Sequence, residues 1–98
     1  MMFHHMVMVR FRAGTTEDQI DAITDGLASL PDQIDVLSAY RFGPDAGITD
    51  GSWDYGVAAD FADETHYPEY SSHPAHVAVF KERIAPVVDE IARVQFRS

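Results

Sequence analysis

A chain of 98 residues, 46% of them hydrophobic, is long enough for one small domain with its own core and too apolar to be disordered. Sixteen acidic residues against seven Lys and Arg give a formal charge of −9; such a surface repels phosphate backbones and anionic bilayers, so neither nucleic acid nor membrane is expected as a partner. There is no cysteine, which removes disulfides, thiol catalysis and thiolate metal sites together.

No apolar run approaches the about 20 residues that span a bilayer. The start, Met1 to His5, lacks the basic head of a signal peptide. A cytoplasmic protein with residues 1–98 as a single domain is the expectation.

Residues 5–12 alternate. His5, Val7, Val9 and Phe11 fall on one face and Met6, Met8, Arg10 and Arg12 on the other, which predicts a strand. Residues 13–16 form a turn, with Thr15 or Thr16 placed to cap a helix whose first turn holds Glu17 and Asp18. Ile20, Ile23, Leu27 and Leu30 then recur at spacings of three, four and three, the stripe of an amphipathic helix closed by Pro31. A second strand is expected over residues 36–42. Residues 43–52 are rich in turn formers and read as a long connection, either solvated, a lid, or an arm toward a partner. Residues 53–61 predict a third strand, with Trp53, Tyr55, Val57, Ala59 and Phe61 on one face.

Asp63 suits a helix N-cap, but Pro68 falls where a helix begun at Asp63 would lose a backbone bond, so the helix starts later or is distorted there. A further helical piece over residues 74–84 is expected to bury Val77, Phe80 and Ile84. Residues 92–96 alternate Ala92, Val94 and Phe96 with Arg93 and Gln95, a last strand. The order βαββαβ is the ferredoxin-like α+β arrangement: one antiparallel four-stranded sheet with helices on one face. Helices on one side leave the Met6–Met8 face of the first strand uncovered. That predicts a homodimer joined through sheet faces.

Side chains able to move protons near neutrality concentrate in one stretch, Tyr70-Ser71-Ser72-His73-Pro74-Ala75-His76. Pro74 suits the first helical position, which makes His73 the cap and places His76 in the first turn. Three imidazoles (His66, His73 and His76) raise the question of a metal. No established ligand spacing is present, so neither a metal nor any other cofactor is expected. Tyr67, Phe80 and Trp53 are candidates to line an apolar pocket.

The first strand, the Gly14-Thr15-Thr16-Glu17-Asp18-Gln19-Ile20 helix start, Trp53-Asp54 leading to Asp60-Phe61, Tyr70 and His73-Pro74-Ala75-His76 together resemble the stress-responsive dimeric α/β-barrel family, Dabb. The resemblance runs from His5 to about Phe96, and His-Pro-x-His is its most specific part. It implies a ferredoxin-like subunit whose sheets join in a barrel across a dimer. Most members have no established activity, but one is a polyketide cyclase that closes a poly-β-ketone by aldol condensation. By that resemblance His5 and His76 are the catalytic pair and Tyr70 helps shape the pocket; His73 and Tyr67 are further binding candidates from their place in and beside the same stretch. Leu27 stands where the cyclase has another pocket tyrosine, which implies a different substrate.

The expectation is therefore a small-molecule-binding protein, or a cofactor-independent acid–base enzyme acting on a small apolar or aromatic ligand. Histidine, with an ordinary pKa of about 6.5, can take a proton from carbon beside a carbonyl or give one to the oxygen. The competing reading is a non-catalytic stress-responsive dimeric module. A monooxygenase built on the same barrel is a third, and the histidines point away from it.

Overall fold

Alternation along Phe3–Phe11 becomes β1, which hydrogen-bonds to a neighbour on each edge; the computed structural model describes residues 1–98. Phe3, His5 and Val9 are buried and Val7 and Phe11 half-buried on one face, while Met6 and Met8 are exposed on the other. The strand begins at Phe3, ahead of the alternation, because Phe3 packs on Phe61 and Tyr67 with ring centroids 6.2 and 5.8 Å away.

Helix α1 (Glu17–Ala28) opens on a reciprocal cap. The Thr16 hydroxyl accepts from Gln19 N at 3.2 Å and the Gln19 amide oxygen accepts from Thr16 N at 2.9 Å, satisfying two donors that the first turn leaves open. Ile23, Leu27 and Leu30 are buried as the spacing requires, and the following turn adds Ile34 to the core. That turn also delays the second strand. Ile34 N still bonds to Leu30 O, so β2 runs over Ala39–Pro44 instead of beginning at residue 36. Gly26 is buried where α1 meets the later helical segment: a Cβ there would lie 3.0 Å from Arg83 Cδ and 3.1 Å from Val79 Cγ1.

Strand β3 is Tyr55–Phe61, with Tyr55, Val57, Ala59 and Phe61 all buried. Trp53 does not continue that face. Its ring lies 4.4 Å from the Arg10 guanidinium, and Arg10 alternates with the Met6–Met8 side. Asp54 accounts for the break in alternation, since its carboxylate accepts from Phe11 N at 2.8 Å and so turns the chain onto β1.

The Pro68 difficulty is resolved by segmentation. Asp63 caps a single 3₁₀ turn, Glu64–His66, and α2 (Tyr67–Ser71) starts afresh with Pro68 in its first turn, where the missing N–H costs nothing. Helix α3 (Pro74–Val79) follows and widens into a π-helical turn, Phe80–Ile84, closed by Ala85 N bonding to Phe80 O at 2.8 Å. No single helical period runs through these pieces, so the expected burial of Val77 and Phe80 fails. Val79 is buried instead, and Val77 and Phe80 are 45% and 39% exposed. The last strand, β4, reaches back to Val88 and runs to Arg97.

The sheet order is β2-β3-β1-β4 with every pair antiparallel, the ferredoxin-like topology. Helices cover one face, and the core between the layers centres on Phe61, Ile23 and Leu30. Register sets which side chains meet inside. His5 lies between Ala59 and Gln95, and Val7 between Val57 and Arg93. On the opposite face Met6, Met8, Val94 and Phe96 are all exposed. His4 lies on that side as well. Its Nδ1 donates to Asp60 Oδ1 at 2.7 Å, its Nε2 faces Ser98 Oγ at 2.6 Å, and its ring centroid is 4.9 Å from that of Phe96. No helix is long and apolar enough to cross a membrane.

Candidate active site

Between the helices and the sheet lies a cavity of about 330 Å³. An apolar cavity of about 150 Å³ is enough for benzene, so this one takes a ring with a short substituent chain. Hydrophobic side chains supply 12 of its 15 lining residues, so the few polar atoms in the wall set its chemistry. His5 enters through the parity of β1. Tyr67 and Tyr70 enter from α2, and Leu27 from α1. His76 enters from the first turn of α3, which Pro74 and the His73 cap position.

The hydrogen bonds assign each imidazole a tautomer. His5 is 5% exposed, and its Nδ1 accepts from the Gln95 amide at 2.9 Å, which leaves the proton on Nε2. His76 Nδ1 faces the Ser71 carbonyl at 3.1 Å; a carbonyl only accepts, so Nδ1 carries the proton and Nε2 has a bare lone pair. One imidazole is thus a donor and the other an acceptor at its free nitrogen.

Burial holds both rings neutral. It lowers His5 to about 4, with smaller contributions from the Arg93 charge and from His76. His76 is also lowered, chiefly by burial, against the opposing Ser71 hydrogen bond and with a minor contribution from His73.

Tyr70 links the two. Its ring centroid is 4.3 Å from that of His76 and 6.2 Å from that of His5. Its hydroxyl lies 2.8 Å from that of Tyr40, which has no other partner and does not line the cavity. Either hydroxyl can donate in this pair; with Tyr40 as the donor, the Tyr70 O–H is free to turn inward. Burial pushes the Tyr70 phenol up to about 12, partly offset by the Tyr40 hydrogen bond, and raises Tyr40 as well. Both stay protonated at neutral pH.

Of the residues singled out from the sequence, His5, His76, Tyr70, Tyr67 and Leu27 all line this cavity, as does Phe80 at its mouth. His73 does not. Its Nδ1 accepts from Ala75 N at 3.0 Å, so its side chain is committed to capping α3. Trp53 and residues 43–52 also lie away from the cavity wall. His66, His73 and His76 do not converge with acidic residues, and no group of three or more potential ligands is arranged around a common point. Nothing in the sequence alone singles out Gln95, Tyr40 or Arg93. The alternation of β4 already separated Arg93 and Gln95 from Val94 and Phe96; what it lacked was the pairing with β1 that turns them toward His5.

The stress responsive A/B barrel domain model, Dabb, matches residues 3–98. The chain belongs to that family. A stress-response A/B barrel domain-containing protein of Arabidopsis thaliana is 30% identical over 97 residues, covering 96% of this chain and 84% of that protein. Among solved structures, a dimeric ferredoxin-like protein of unknown function from Thermobifida fusca superposes on this Dabb chain with a TM-score of 0.92 at 34% identity, covering 100% of this chain and 92% of that one. A hydroxynitrile lyase from Passiflora edulis shares the fold with a TM-score of 0.82 at 17% identity, covering 97% and 91% of the two chains.

Proposed function

We propose that this Dabb protein binds a small apolar or aromatic carbonyl compound in the helix–sheet cavity and performs cofactor-independent acid–base chemistry on it. The observation that carries the reading is the opposite tautomers of His5 and His76 at one apolar wall. In this reading His76 Nε2 takes a proton from carbon beside the carbonyl. The oxygen that becomes anionic is met by the His5 Nε2–H and the Tyr70 O–H, donors held in place before reaction. An aldol ring closure of the polyketide-cyclase kind is one such reaction; a lyase or isomerase step through the same enolate is another. A hydroxynitrile lyase shares the fold, but at this identity it speaks for the scaffold alone, and the proposal rests on the site.

The proposal includes assembly. Met8 and Val94 are 45% and 58% exposed on the uncovered sheet face, beside a groove that runs from Met6 to Phe42. A contiguous apolar face on a chain of charge −9 calls for a cover, and the Thermobifida fusca relative is dimeric. Two copies packed sheet to sheet supply that cover.

The test is exchange of the α-protons of aryl methyl ketones and linear β-ketones in deuterated buffer, wild type against His76→Ala. Exchange above the buffer rate in the wild type, lost in the variant, is expected. Failure of both proteins to bind or exchange any of these compounds would sink the enzymatic reading and favour the non-catalytic module.

A further inference from the structure

We infer that Arg93 makes the cavity selective for carboxylic acids: the hydrocarbon body of the ligand fills the apolar space and its single carboxylate sits on the guanidinium at the rim. This rests on the cavity being the ligand site, as proposed above, and names the class of compound it takes.

Arg93 is the only lining residue with a permanent charge. It stands on β4 directly across from Val7, on the same side of that edge strand as Gln95 and Ile91, and is exposed, bordering also the groove on the opposite sheet face. Every other arginine has a partner. Arg10 lies over Trp53, Arg12 donates to Val88 O, Arg83 donates to Ala22 O, and Arg41 and Arg97 pair with Asp60 and Glu64. Arg93 takes part in none of the three ion pairs, in a chain with sixteen acidic residues to choose from. A guanidinium left open beside an apolar cavity presents a planar fork of donors that matches a carboxylate.

The geometry also limits charge. One cation compensates one negative charge, and the field of a −9 chain opposes any further charge on the ligand. A phosphate dianion would keep one charge uncompensated, so a monocarboxylate fits best. The electrostatic influence of Arg93 on the His5 imidazole indicates that a carboxylate seated there lies within range of the catalytic pair.

The experiment compares isosteric acid and amide pairs, 3-phenylpropanoate with 3-phenylpropanamide and hexanoate with hexanamide. Binding is followed by calorimetry and by the ring resonances of His5 and His76, in wild type, Arg93→Gln and Arg93→Lys. The wild type is expected to bind each acid on the order of tenfold more tightly than its amide, the usual gain from a charge-assisted hydrogen bond. Arg93→Gln should erase that preference, and Arg93→Lys should restore part of it, because an ammonium keeps the charge without the fork. Equal binding of acid and amide by the wild type, with both histidines responding, overturns the role of Arg93 and leaves the cavity reading standing. A preference that survives in Arg93→Gln does the same. Absence of any histidine response to either compound removes the cavity reading, and this inference with it.

Discussion

His5 should make the protein acid-sensitive in a defined window. Its imidazole is buried against Tyr67 and Tyr70, and burial lowers its pKa from 6.5 to about 4. In the unfolded chain it titrates normally, so between those values the unfolded state binds more protons than the folded one. Stability therefore falls as pH falls through that window and is unaffected well above it. Integrating with the two values gives a loss of about 2 kcal/mol between about pH 7.5 and about pH 5 from this residue alone. Urea unfolding at fixed protein concentration, wild type against His5→Gln across that range, isolates it. His76 and the carboxylates contribute to both proteins, so the informative quantity is the difference between the two curves. That difference should shrink by about 2 kcal/mol on acidification. A difference independent of pH would refute the claim that the folded protein holds His5 neutral.

Tyr40→Phe removes the hydroxyl bonded to that of Tyr70 and should cost about 1 kcal/mol in urea unfolding. It should also raise the Tyr70 phenol further, which a ultraviolet titration at high pH would read as later ionisation. Met8→Glu places a carboxylate in the middle of the uncovered sheet face. Sedimentation at micromolar concentration should show a dimer for the wild type and a monomer for the variant, and a wild-type monomer would defeat the sheet-to-sheet assembly.

Much of this arrangement is legible in the residues, for identifiable reasons. The period of two in β1 assigned His5 to the helix side, and the three–four spacing of Ile23, Leu27 and Leu30 assigned the core face of α1, because both patterns are enforced by burial. Asp63, His73 and one of the pair Thr15 and Thr16 are readable as caps because the unpaired donors of a first turn demand acceptors of that kind; the structure selects Thr16. The misses share a cause as well. Trp53 and Val77 were placed by extending a period past the point where a tertiary contact breaks it: Asp54 on β1 in one case, the change to a π-helical turn in the other. Gln95, Tyr40 and Arg93 depend on partners 90, 30 and 86 positions away in the chain (for Arg93, Val7), and such pairings leave no local trace.

His4 and His5 are adjacent in the chain, yet the pleat of β1 gives them unrelated surroundings. His5 meets Gln95, Tyr67 and Tyr70 inside, while His4 is bound to Asp60 and Ser98 on the opposite face. The same division runs the length of the strand, odd positions toward the cavity and even ones toward the open sheet face. Substitutions at odd positions can thus reshape what the cavity admits without altering the outer face, and those at even positions can change association without entering the cavity. The two properties are free to evolve separately within nine consecutive residues. A one-residue slip of β1 would exchange them all at once, so the register of this strand is tightly constrained.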